Sequence, residues 1–275
     1  MDWNDENLPD PAGQRWWHAA VSFPGEAGIS PQTAAVLAGA LSGQRFHFLR
    51  KEGTLRLRTE RPAAEVFDQL VAEGLATGWT SGIYEPEIMA FGGPAAMAVA
   101  HELFCADSPA ALAETGGAHA RERSVLLISA MNRGARLDPF EIGDVWAKIA
   151  SVRPAISLPP DPRRQAAVTA MRRLLHADAA SRDHAEPGWA DRVAAFHDTG
   201  RELAWLNARG QLARGLRAIL AHHAIFAFNR AAVPVAGQAA AACLAQYVAF
   251  CDHEPTDPGR PGHAVKSGEI KMTRA

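Results

Sequence analysis

Apolar and polar residues alternate through the first third of the chain, then fall into three-and-four spacing after Gly93. RWWHAAVSF, from Arg15 to Phe23, is an aromatic and β-branched run of strand length, closed by the breakers Pro24 and Gly25. Ser30 and Pro31 open a first helix, PQTAAVLAGALSG, as cap and first-turn proline, and Gly43 ends it. In FHFLRKEGTLRLRTE two alternating runs flank Glu52-Gly53, which predicts a β-hairpin. A helix from Pro62 to about Glu73 follows, with Val66, Phe67, Leu70 and Val71 on one face, and GWTSGIYEPE supplies a fourth strand.

This order predicts an α+β fold whose residues 15–92 form a ferredoxin-like βαββαβ antiparallel sheet, with both helices on one face. Beyond it, helices are expected at Pro94 to Cys105, Arg121 to Asn132, Pro139 to Ser151, Gln165 to His176, Trp189 to Leu206, Gln211 to Asn229 and Gly237 to Cys251. No strong linker divides the two regions, so the helices of residues 93–253 are expected to cover the remaining sheet face in one integrated domain. Residues 1–14 read as a flexible N-terminus and 254–275 as a loose tail.

Composition narrows the class. The 30 acidic and 28 basic residues nearly cancel, so no global field draws the chain to nucleic acid or membrane. The start, MDWNDENLPDPAGQ, lacks the pattern of a signal peptide, and no apolar run approaches the roughly 20 residues of a membrane span. Three cysteines among apolar neighbours, without zinc spacing, fit reduced thiols and a cytoplasmic location.

Several polar groups invite chemistry. TLRLRTE places Leu55 and Leu57 on one face of a strand and Arg56 with Arg58 on the other. Two adjacent guanidiniums repel unless an anion lies between them, although a solvated edge is the alternative. Tyr84 and Glu87 precede the Gly92-Gly93 turn, where a phenol and a carboxylate either manage protons or cap the next helix. His222, His223, Asn229 and Arg230 fall in the apolar helix ILAHHAIFAFNR and need partners across the core, as a site or as satisfied core residues. His101 and Cys105 sit one helical turn apart, with no further ligand pair nearby to complete a metal site. Arg163, Arg164, Arg172 and Arg173 read as a solvated helix face, with an acidic peptide or RNA as the alternative partner. No phosphate-cradling loop, nucleophile elbow or dinucleotide fingerprint follows a strand.

Taken together, WWHAAVSFP, FHFLRKEGTLRLR, YEPEIMAFGGPAAMAVAHELFCADS and HHAIFAFNR resemble the thiopeptide-type bacteriocin biosynthesis domain, related to the C-terminal, glutamate-eliminating part of class I lantibiotic dehydratases. The likeness spans Trp16 to Cys251. It implies one of two activities: removal of glutamate from glutamylated Ser or Thr, or the pyridine synthase reaction, a formal aza-[4+2] cycloaddition of two dehydroalanines with loss of water and the leader peptide. Eliminating members of this family carry Tyr-x-x-Glu-x-x-Arg-Tyr-Gly-Gly, whereas this chain has Ala90-Phe91 before its glycines. A departing dicarboxylate needs cations, so the missing guanidinium favours the synthase, as does the likeness of FEIGDVWAKIASVRP to such enzymes.

On that resemblance Tyr84, Glu87, His223 and Asn229 are expected to move protons, and Arg50, Arg56, Arg58, His222 and Arg230 to hold the peptide. The junction before Pro94 is expected to form a groove rim whose glycines admit the substrate, walled by the following helix. No metal or other cofactor is called for. The expected partner is a precursor peptide with its leader, together with other maturation enzymes; tRNA enters only under the elimination alternative, and a non-catalytic leader-binding subunit is a third reading. Monomer and homodimer both stay open.

Overall fold

A computed structural model describes residues 16–25, 28–51, 53–115, 117–158, 160, 162–179 and 188–250. The expectations for residues 1–14 and 254–275, the strand position Arg15, the turn residue Glu52 and the end of the last helix at Cys251 lie outside them. Four strands, β1 (Trp17–Ser22), β2 (Phe46–Lys51), β3 (Thr54–Thr59) and β4 (Gly78–Gly82), form an antiparallel sheet in the order β2-β3-β1-β4. Between them lie α1 (Pro31–Ala40), capped by the Ser30 hydroxyl, and α2 (Ala64–Ala72). Alternation decides which face is buried. Trp17, Ala19, Val21, Phe48, Leu55 and Leu57 meet Leu37 of α1 and Phe67 and Leu70 of α2 in one apolar cluster.

The remaining described helices are α3 (Pro94–Ala113), α4 (Ala120–Gly134), α5 (Pro139–Ser151), α6 (Arg163–His176), α7 (Trp189–Ala208), α8 (Leu216–Arg230) and α9 (Val235–Phe250). They enclose a second core around Trp146, Phe196, Ile219 and Phe228. Helices α4 and α7 approach to backbone contact, because a β-carbon on Gly200 would stand 1.9 Å from the Met131 carbonyl oxygen. Both α3 and α8 pack against β2, which sets them over the second face of the sheet.

Three boundaries differ most from the sequence reading, and tertiary contacts account for the two that belong to helices. Helix α3 continues through Asp-Ser-Pro to Ala113, with Pro109 inside it. Asp107 is buried against Arg192 and Arg230, and the Ser108 hydroxyl accepts the Phe48 N–H, so these polar residues are satisfied across the core instead of stopping a helix. Helix α8 begins at Leu216 and not Gln211, since the preceding segment is tied elsewhere: Ala213 N–H donates to Gly92 O at 2.8 Å and Arg214 to Ala90 O at 2.9 Å. Strand β4 stops at Gly82, which leaves Tyr84 and Glu87 in the connection to α3.

Candidate functional site

The sheet face away from α1 and α2 carries a polar row. Cross-strand register sets His18 of β1 and His47 of β2 on either side of Arg58 of β3, with Arg56 one pair along, beside Ala20 and Leu49. Arg58 lays its guanidinium 4.8 Å from the centre of the Tyr84 ring and donates to the Arg56 carbonyl. The Tyr84 hydroxyl shares a 2.8 Å hydrogen bond with Nε2 of His101 on α3. Trp16 packs edge-on to His47 at 4.7 Å and tilted against His101, which closes the base of the cluster.

The wall opposite is built by the 84–93 connection and α8. Phe91 N–H bonds to Glu87 O and Gly93 N–H to Ile88 O, so the connection winds into a turn before Pro94 starts α3. Gly92 takes φ +96°, and a β-carbon there would lie 2.3 Å from Cδ1 of Ile219. The glycine therefore serves the seating of α8. The expectation that it opens space for a substrate is corrected by this contact. Glu87 accepts a 3.0 Å hydrogen bond from Nε2 of His222, also on α8, whose ring rests on Phe91 and Phe226.

Between these walls lies a pocket of about 280 Å³, lined by His47, Lys51, Arg56, Arg58, Tyr84, Glu85, Glu87, His222 and Asn229 over an aromatic floor of Phe91, Phe104 and Phe226. Lys51 and Asn229 also line a neighbouring pocket of about 490 Å³ that runs between the hairpin and the α8–α9 turn. The two pockets thus share a boundary, and together they offer room for an extended chain.

Electrostatics divide the site into neutral and charged parts. Burial, reinforced by Arg58, pushes His18 down to about 4 and holds His47 well below the ordinary imidazole range, so both rings are neutral near pH 7. Burial also lowers Arg58 to about 10, partly offset by Tyr84 and Glu87, and the guanidinium stays charged. The His222 hydrogen bond holds Glu87 below the usual carboxylate range against the opposing effect of burial. The pocket is therefore a cationic trough with one anchored carboxylate, the neutral His47 imidazole and a phenol. Such a set can donate to a carbonyl oxygen, hold an anion or shuttle a proton.

Of the expected site residues, Tyr84, Glu87, Arg56, Arg58, His222 and Asn229 line this one pocket. The others do not. Successive helical residues turn by about 100°, so His223 points away from His222 into the core, fully buried between Phe91 and Phe104, where burial first and then His222 and Arg230 lower it to about 3. Arg230 is fully buried with Nε on Asp107 and its guanidinium over Phe104. Arg50 donates to the Arg230 carbonyl and to Thr115, and it lines only the neighbouring pocket. His18 and His47 were missed, although the same alternation that places Arg58 also places them. His101 is engaged with Tyr84, burial pushes the Cys105 thiol up to about 12, and among the described residues no three His, Cys, Asp or Glu side chains gather as a metal site would require. Among those residues, also, no helix is long and apolar enough to cross a membrane.

Solved structures that share the fold include a dehydratase and a synthase. The tRNA dependent lantibiotic dehydratase MibB from Microbispora sp. 107891 superposes with a TM-score of 0.56 at 16% identity, over 88% of this chain but only 28% of the dehydratase. TbtD, the pyridine synthase from thiomuracin biosynthesis, superposes with a TM-score of 0.58 at 12% identity, over 86% of this chain and 98% of the synthase. No curated protein sequence matches the chain. The profile described as lantibiotic biosynthesis dehydratase C-term matches residues 27–248, most of the sequence, and the chain belongs to that family.

Proposed function

We propose that the chain is a maturation enzyme for a ribosomally made peptide, a pyridine synthase that joins two dehydroalanines of a precursor and expels water and the leader. One observation carries this reading. The turn that bears Glu87 presents Ala90 where a glutamate-eliminating site of this family would present a guanidinium, and Arg214, which donates to the Ala90 carbonyl, does not line the pocket. In this reading the sheet is a ferredoxin-like unit and forms one domain with the helices that cover it.

The chemistry assigns roles. One dehydroalanine and its preceding amide must become an iminol, which moves a proton from nitrogen to oxygen and creates a 2-azadiene. Two bonds then form, from the methylene of the azadiene to that of the second dehydroalanine, and from the iminol carbon to the second α-carbon. Loss of water from the first product and of the leader as a carboxamide adds two double bonds, and the ring becomes aromatic without oxidant or reductant. Tyr84, oriented by His101 and Arg58, is the donor to the amide oxygen; the Glu87–His222 pair takes and returns the nitrogen proton; Arg56 and Arg58 hold peptide carbonyls or acidic side chains; Asn229 orients the chain where the two pockets meet. His223 and Arg230, the earlier candidates, support α8 from behind. Holding both alkenes in reach is the larger task, drawn from the roughly 7–11 kcal/mol available to well-placed intramolecular partners.

A second reading has its own support. Lys51, Arg56 and Arg58 give the pocket a cationic surplus, and a departing glutamate would suit it. The two separate on substrate. Supplied in parallel with a glutamylated Ser peptide and a twice-dehydrated peptide, the enzyme is expected to leave the first intact and convert the second. Release of free glutamate from the first would establish the elimination reading. Binding of the leader without either conversion would leave an adaptor.

A further inference from the structure

A further pocket, of about 380 Å³, opens in the helical region and shares no lining residue with the sheet site. Its walls are chiefly apolar: Leu137, Pro139, Phe140, Ile142, Leu175 and Val248, contributed by α4–α6 and α9 with the α4–α5 turn. Phe140 stands at its lip, 61% exposed and stacked on Phe250, so a large apolar surface is left to water there.

Two polar residues, one turn apart on α4, also line this cavity. Asn132 is fully buried, and neither its amide nitrogen nor its amide oxygen has a hydrogen-bond partner; Ser129 is nearly as buried, and its hydroxyl is likewise unpartnered. Three orphaned polar atoms beside one apolar cavity are costly to keep, since each forfeits the hydrogen bond it had in water. A carboxamide offers one acceptor and two donors, and its natural complement is another amide. The ionisable groups lining the pocket are Arg133 and His176, with no carboxylate among them; Asp178, which acts on Arg133, lies outside the lining.

We propose that this pocket binds peptide: one large apolar side chain in the cavity, its main-chain amide on Asn132 and Ser129, and an acidic flanking residue toward Arg133. The site is remote from the reaction pocket, so it would hold a part of a peptide partner that does not react.

The test reads binding alone. N-acetyl-Asp-Leu-amide, N-acetyl-Lys-Leu-amide and ethylbenzene are titrated into the full-length, isotope-labelled protein while the Asn132 side-chain NH₂ and Phe140 signals are followed by NMR. The aspartyl peptide is expected to bind saturably and shift both signals, to outbind the lysyl peptide, and to weaken about tenfold in Asn132→Leu. Ser129→Ala and the exposed Phe140→Ala supply readings should Asn132→Leu not fold. Equal binding of ethylbenzene and the aspartyl peptide, a preference for the lysyl peptide, insensitivity to all three substitutions, or no shift beyond that of a hydrated cavity would each overturn the proposal. Because no turnover is measured, that failure leaves the cycloaddition reading untouched, and the converse holds.

Discussion

At the residue scale the site turns on Glu87 and His222. The hydrogen bond from His222 holds the Glu87 carboxyl below its ordinary range, so the carboxylate persists as pH falls past the point where a free one protonates. A ¹³C NMR titration of the Glu87 carboxyl is expected to place its midpoint below that of an unpaired glutamate, and His222→Ala should move the midpoint upward. An unchanged midpoint in the variant would dissolve the pair as a functional unit. Strand alternation made Arg56 and Arg58 legible in the sequence, and it would have yielded His18 and His47 had the arginine face been read across strands. The choice between His222 and His223 was not legible. Adjacent positions in an apolar helix differ only in the direction they face, and neighbouring Phe91 and Phe104 decide it.

At the element scale, tertiary contacts fix what local pattern left open. Gly92 lets α8 seat against the turn, so Gly92→Ala is expected to cost about 2 kcal/mol or more in denaturant unfolding, from the clash with Ile219 and the positive φ. Ile219→Val in the same background should recover part of that loss; no recovery would mean the backbone conformation alone carries the cost. Asp107 ties α3 to Arg192 of α7 and Arg230 of α8. Burial alone would raise its pKa, yet the two guanidiniums prevail and lower it. Its stabilising contribution is therefore present above the unfolded carboxylate value and is lost as pH falls through the lower folded one. Asp107→Asn, which takes the carboxylate from buried Arg230 and leaves Arg192 with Glu114 alone, should cost about 3–5 kcal/mol and flatten the stability profile below about pH 4. The sequence missed this tie because Asp-Ser-Pro reads as a helix stop, and only the distant arginines explain why α3 runs through it.

At the scale of the whole molecule, a four-stranded sheet and a set of helices meet at one face, and the candidate pocket lies in that seam. Seven helices after the glycine turn were foreseen from spacing alone, and their cores now explain why: each buries an apolar stripe against its neighbours. The trough from Arg58 to Asn229, continued past Lys51, is the feature a folded-back peptide would need. Mass spectrometry of the purified protein with a leader-bearing peptide that carries two dehydroalanines bears most directly on this account. The predicted result is a pyridine-containing product that has lost water, accompanied by one equivalent of leader carboxamide, with the yield collapsing in Tyr84→Phe and Glu87→Gln. An unaltered peptide mass, under conditions in which the same preparation binds that peptide, would contradict it.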